Sequence, residues 1–199
     1  LPSSPVTWPI GCGMNFEGIY DLLKNEAILY KADKTIKLGD KGVFGPELED
    51  QISGLNLSSL RDEIELIQGA GNPFDEDAVL AGKLSPVFFG SALADFGTVP
   101  FLQHFLDMSP SPGPRKTTDG YVDPEDDFFS GFIFKIQANM NPAHRDRLAF
   151  LRICSGTFER GMSGILSRTG KEMKLAQSTM LMANHRENVE EAIAGDIIG

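Results

Sequence analysis

Leu84-Ser85-Pro86-Val87-Phe88-Phe89, running directly into Gly90-Ser91-Ala92-Leu93, is the stretch on which the fold turns. It is an almost unbroken apolar run of strand length, the pattern of a strand covered on both faces by helices, and it implies a parallel sheet. After Gly97 the spacing becomes helical, with Val99, Leu102, Phe105 and Leu106 expected on the buried side. The order is therefore strand, tight loop, helix. In doubly wound sheets ligands bind in the loop outside the carboxyl end of such a strand. Small residues at 90–92 would let the main chain approach a planar ring, and the Ser91 hydroxyl could orient the loop. A plain strand-to-helix turn has the same composition, so the tripeptide alone decides nothing about a ligand.

Outward from this stretch, the N-terminal third mixes short β-rich pieces with turn residues: Pro5 to Gly11, Gly18 to Leu23 and Ala27 to Lys31. Ser58 to Ala70 reads as a helix, with Ser59 as its cap, Asp62 three residues on, and Leu60, Ile64 and Ile67 on one face. From Ser109 to Asp127 the chain is rich in Pro and then acidic, a composition that reads as a linker. Beyond it the period changes to two. Phe132, Phe134, Ile136 and Ala138 alternate with Ile133, Lys135 and Gln137, residues 147–154 do likewise, and Gly156, Gly161, Gly164 and Gly170 punctuate short strands at the spacing of a small antiparallel barrel. The expected fold class is α/β plus β-barrel, in three segments: residues 1–112, a linker at 113–127, and a barrel at 128–199.

Charge supports a division near that linker. Residues 1–127 carry 9 Lys/Arg and 21 Asp/Glu, a net charge of −12, whereas residues 128–199 carry 9 and 7, a net charge of +2. The overall charge of −10 on 199 residues argues against a chain that coats nucleic acid, DNA included. Cys12 and Cys154 stand far apart with no Cys-x-x-Cys pair, so neither a disulfide framework nor a zinc site is indicated and a reducing, cytoplasmic home fits. No stretch approaches the roughly 20 apolar residues of a membrane span, and the first residues lack the pattern of a secretory signal.

Candidate chemistry is sparse. Gly82-Lys83 and Gly170-Lys171 lack the glycine spacing and the following Ser/Thr of a phosphate loop. Asp196-Ile197-Ile198-Gly199 matches a bare Asp-x-x-Gly pattern but ends a β-rich segment and reads as structural. Cys154, on an alternating strand, reads as a buried apolar residue rather than a nucleophile. His104 and His185 stay uninterpreted. The most unusual stretch is Asn139-Met140-Asn141-Pro142-Ala143-His144-Arg145-Asp146-Arg147, which sets a His and two Arg between apolar strands. It fits a solvated hairpin tip. It also fits a polyanion contact, because Arg clamps phosphate oxygens bidentately and exposed loops on a rigid barrel carry binding residues; Arg152 and Arg160 would extend the patch.

Taken together, Trp8-Pro9-Ile10-Gly11 with Phe16 and Gly18-Ile19-Tyr20, Arg61 to Leu66, Pro86 to Leu93, Ser130-Gly131-Phe132 through Arg147, Ser155-Gly156 and Ala194 to Gly199 resemble the bacterial peptide chain release factor 3 family of translational GTPases. The run Phe134-Lys135-Ile136-Gln137-Ala138-Asn139-Met140 with His144-Arg145-Asp146-Arg147 is the most specific part, and it separates this family from the elongation factors. The resemblance implies that residues 1–112 are the carboxyl-terminal half of a P-loop GTPase domain with its family insertion, and that Ser91, Ala92 and Leu93 form the guanine-contacting loop. It implies an incomplete translation-factor-type antiparallel β-barrel from 128 onward. It also implies GTP or GDP with Mg²⁺ as cofactor of the parent protein, with the ribosome and class I release factors as partners. His144, Arg145 and Arg147 become ribosome-contact candidates, with ribosomal RNA met through the barrel. The phosphate loop, both switch regions and the Asn-Lys-x-Asp loop would all precede Leu1. These 199 residues are then an internal piece of a longer polypeptide, expected alone neither to hold GTP tightly nor to hydrolyse it.

Other classes stay open on the residues themselves. A stand-alone module that binds RNA or protein without nucleotide chemistry accounts for the charge split. Another translational GTPase of the elongation-factor type would share the architecture but not the Arg-rich turn. A small metabolic enzyme would need clustered carboxylates or a paired nucleophile and base, which the sequence does not display.

Overall fold

A computed structural model describes residues 1–138, 147–176, 178–182 and 185–199. The chain separates into two compact units, Leu1–Ser109 and Pro110–Gly199.

The first unit opens with strand β1 (Ser3–Pro5), followed by a meander of β2 (Thr7–Ile10), β3 (Gly18–Asp21), β4 (Glu26–Leu29) and β5 (Lys34–Lys37). The last four pair antiparallel in sequence order, with Thr7 opposite Asp21, Ile19 opposite Ile28 and Ala27 opposite Ile36. Pro9 lies in β2, an edge strand of this sheet, where a missing N–H costs no ladder bond. Asn25 takes the left-handed conformation in the β3–β4 turn, a region Asn tolerates. Its amide nitrogen donates to the carbonyls of Leu38 and Gly39, and its oxygen accepts from the Tyr20 hydroxyl.

Helix α1 (Gly54–Ala70) covers the meander. Its Leu57, Leu60 and Ile64 join Ile10, Tyr20, Ala27, Leu29 and Leu48 in one buried cluster, with Ile67 packed against it. The expected apolar face is correct and the expected start is not. The helix begins four residues earlier, because Ser53, not Ser59, caps it: the Asn56 amide donates to Ser53 Oγ at 3.3 Å. The added turn puts Leu57 in the core and lets Asn56 Nδ2 reach the Asn15 carbonyl at 2.8 Å.

A short helix α2 (Glu76–Leu80), capped by Asp75, leads to β6 (Ser85–Val87). β6 pairs parallel with β1, Ser3 opposite Ser85 and Pro5 opposite Val87, so the expected parallel pairing is present as a two-stranded sheet among the described residues. Helix α3 (Thr98–Met108) follows the loop as expected, but its orientation corrects the sequence reading. Val99, Leu102, Phe105 and Leu106 are 62, 54, 55 and 73% exposed, and the buried residues are Pro100 and His104. Periodicity locates an apolar stripe; it does not say which stripe the neighbouring elements of this unit cover.

In the second unit, the stretch read as a linker contains a hairpin, β7 (Arg115–Thr117) with β8 (Gly120–Val122). The long strands β9 (Ser130–Ala138) and β10 (Arg147–Ser155) pair antiparallel, with register shifts at Phe150/Leu151 and Ile153/Ser155. Then come β11 (Thr157–Glu159), β12 (Ser163–Leu166), β13 (Lys171–Lys174), β14 (Thr179–Met182), β15 (His185–Asn188), β16 (Glu191–Ile193) and β17 (Ile197–Ile198). β17 lies on the other side of β10, while β11 pairs with β16, β12 with β13 and β14 with β15. Thr179 and Gly199 exchange two main-chain bonds of 2.8 Å, joining β14 to the end of the chain. Ile153, Phe158, Val189, Ala192 and Ile198 form the core. The unit is mostly antiparallel β, as expected. Cys154 is half-buried rather than part of that core, because Ile153 and Ser155 on either side of it are the buried residues of β10.

Candidate functional site

The loop between β6 and α3 is built around a pinched neck. Gly90 and Gly97 press together, so that a Cβ on Gly90 would sit 3.1 Å from the Phe96 carbonyl oxygen. Gly97 has φ +75°, and a Cβ there would run into the Phe89 carbonyl, so glycine is the residue that fits. Above the neck the Ser91 amide donates to the Phe96 carbonyl at 2.8 Å, and the Phe96 amide returns a bond of 3.1 Å. Ser91 Oγ accepts from the Ala94 amide at 3.2 Å, which is the loop-orienting role its hydroxyl was expected to play. Ala92 is exposed and Leu93 is fully exposed. Among the described residues neither of their amides donates to a protein acceptor. Ser91, Ala92 and Leu93 thus present a small, open turn with free backbone donors. It could meet the polar edge of a flat ring.

The meander grips this loop at both ends. The Phe89 amide donates to Thr7 Oγ1 at 2.9 Å, and the Gly97 amide donates to the Tyr30 hydroxyl at 2.7 Å. Phe96 packs between Phe16, centroids 4.4 Å apart, and Tyr30, at 5.9 Å. Beside these rings lies an open cavity of about 620 Å³, lined by Pro9, Phe16, Tyr30, Phe89 and Gly90 with Lys31 and Cys12 among its other residues. Burial holds the Tyr30 phenol above its ordinary range; the Gly97 amide works against that rise and the nearby Asp95 carboxylate adds to it. Farther along, His104 Nε2 of α3 lies 2.6 Å from Asp21 Oδ2 of β3, with both side chains almost fully buried. Asp21 Oδ1 also accepts from the amides of Leu23 and Lys24. Sequence reasoning missed these three ties. They join residues 82, 67 and 83 positions apart, and no local pattern announces any of them.

The second set of candidates is only partly visible. His144 and Arg145 lie outside the described residues. Arg147 is the exposed first residue of β10, opposite Ala138. Arg160, named with Arg152 as a residue that would extend the patch, pairs with Glu190 at 2.6 Å. Asp196, read as structural, accepts from the Ile193 amide and gives its carbonyl to Ile153. Among the described residues no three His, Cys, Asp or Glu side chains converge on a metal position, and no helix is long and apolar enough to cross a membrane.

Residues 128–199 match the family described as elongation factor G domain 2. Over its full length the chain is 54% identical to peptide chain release factor 3 from Streptococcus pneumoniae strain Hungary19A-6, and the same figures hold for strain CGSP14. The chain spans 38% of the length of these relatives. A crystal structure of a Thermus thermophilus protein superposes on 99% of this chain and 29% of its own, with a TM-score of 0.60 and 22% identity, a likeness of fold. The resemblance to bacterial peptide chain release factor 3 therefore runs through every part of this chain, and its β-rich second unit carries the elongation factor G domain 2 sequence pattern.

Proposed function

We propose that this chain works as part of a ribosome-dependent GTPase of translation termination, one that promotes the GTP-dependent departure of class I release factors from the ribosome. The observation that carries this reading is the 54% identity to peptide chain release factor 3 along the whole chain, which includes the loop and the second unit alike. Residues 1–112 act as the carboxyl-terminal part of the G domain with its insertion, and residues 128–199 as its second domain. Ser91, Ala92 and Leu93 contact the guanine base of GTP or GDP through the open turn. The nucleotide, with Mg²⁺, supplies the γ-phosphate whose loss switches the protein; this chain's own share is to bind and orient the base. Arg147, with His144 and Arg145, contributes to ribosome contact, and the protein works in the cytoplasm.

The test uses the full-length polypeptide that carries these residues. Ala92→Asp, which puts a carboxylate and added bulk against the base, is expected to weaken guanine-nucleotide binding at least tenfold and to lower ribosome-stimulated GTP hydrolysis at limiting GTP. Unchanged nucleotide affinity would remove the base-contact role. The 199-residue chain alone is expected to show no measurable GTP turnover.

A further inference from the structure

We infer that the β2–β5 meander sets the shape of the base-contacting loop, with Thr7 and Tyr30 as its positioning residues; the inference rests on reading Ser91-Ala92-Leu93 as the guanine contact. The loop is held at both of its ends. Its entrance amide, at Phe89, bonds to Thr7 Oγ1, and its exit amide, at Gly97, bonds to the Tyr30 hydroxyl. Both acceptors are themselves fixed. Thr7 is 1% exposed and pairs with Asp21 in the sheet, while the Tyr30 amide donates to the Glu17 carbonyl at 3.1 Å and its ring packs on Phe96. Between the two clamps the turn is closed by the reciprocal Ser91 and Phe96 bonds, and its neck glycines approach too closely to admit a side chain on Gly97 without a clash. The tip is therefore open and its two ends are tied. Its geometry is inherited from a sheet that begins some 80 residues earlier in the chain.

Removing one hydroxyl leaves the apolar packing in place and frees one end of the loop. The base-competent arrangement is then occupied a smaller fraction of the time, and apparent affinity falls by that fraction. One net hydrogen bond corresponds to a change of about three- to tenfold.

The experiment compares Thr7→Val and Tyr30→Phe with Thr7→Ser, which keeps the hydroxyl, and with Ala92→Asp at the tip, all in the full-length polypeptide. Two quantities are read: amide hydrogen exchange of the peptide covering residues 88–97, and the dissociation constant of a fluorescent guanosine diphosphate. Thr7→Val and Tyr30→Phe are expected to speed exchange and weaken binding by about three- to tenfold, with Thr7→Ser close to wild type in both. Unchanged exchange in Thr7→Val and Tyr30→Phe overturns the positioning role. Faster exchange with unchanged affinity also overturns it if Ala92→Asp does weaken binding. If Ala92→Asp is silent as well, the guanine reading fails and the inference goes with it.

Discussion

His104 Nε2 and Asp21 Oδ2 lie 2.6 Å apart with 5 and 1% of their side chains exposed, and this pair fastens helix α3 to the end of strand β3. The Asp21 carboxylate has a second duty, since its other oxygen receives the Leu23 and Lys24 amides and shapes the turn into β4. A single buried carboxylate thus joins the meander, its β3–β4 turn and the helix that follows the candidate loop.

Because breaking a buried pair strands the remaining partner, His104→Ala is expected to destabilise the first unit by about 3 kcal/mol. Asp21→Ala should cost more, since it also deprives two turn amides of their acceptor. Urea unfolding followed at the only tryptophan, Trp8, reports both; equal costs would show that the turn bonds contribute nothing.

Gly97→Ala is expected to destabilise by about 2 kcal/mol or more, because its left-handed φ and the blocking Phe89 carbonyl act together. Gly113, whose Cβ would meet nothing within 4 Å, supplies the control: Gly113→Ala should be close to neutral. Thermal unfolding of the two variants side by side makes the comparison, and similar melting temperatures would refute the neck geometry.

Alkaline stability carries a signed expectation. The Tyr20 and Tyr30 phenols are both held above their ordinary value of about 10, chiefly by burial. A raised folded-state pKa means the folded chain keeps its proton after the unfolded chain has lost it. The contribution is fully present below about pH 10 and is lost as pH rises from there through the folded value. Tyr30→Phe should therefore flatten the fall of stability above about pH 10 while leaving the profile near neutrality parallel to wild type. A fall as steep as wild type would contradict it.

Arg145→Ala with Arg147→Ala, made in the full-length polypeptide, is expected to weaken ribosome binding and reduce its dependence on salt, because abolishing a phosphate contact takes about one released counterion out of the slope. Binding measured between about 50 and 200 mM salt tests this, a range over which such contacts change affinity steeply. An unchanged slope would leave Arg147 as an exposed strand residue and nothing more.

Much of the architecture is legible in the sequence because alternation and periodicity are local. Strands β3 and β4 and the helical spacing at Leu60, Ile64 and Ile67 need only neighbouring residues to be seen. β5 gives no such signal, because Lys34-Thr35-Ile36-Lys37 offers one apolar residue and forms the open edge of the sheet, where polar side chains are at home. The first turn of α1 is hidden behind Ser53-Gly54, which reads equally well as a loop. The loop at Ser91 is legible as a candidate from its place after an apolar strand; its neck and its two hydroxyl clamps are not.

The amino-acid sequence by itself determined the division into an acidic α/β part and a β-rich part, the order of strand, loop and helix around Gly90, and the resemblance to a family, since all three are written in runs of adjacent residues. Only the tertiary structure decided which stripe of α3 is buried, that Asp21 meets His104, and that Thr7 and Tyr30 hold the two ends of the loop. Those contacts join residues tens of positions apart, and they exist because sheet pairing and helix packing bring distant side chains within hydrogen-bond reach, a condition no local pattern encodes.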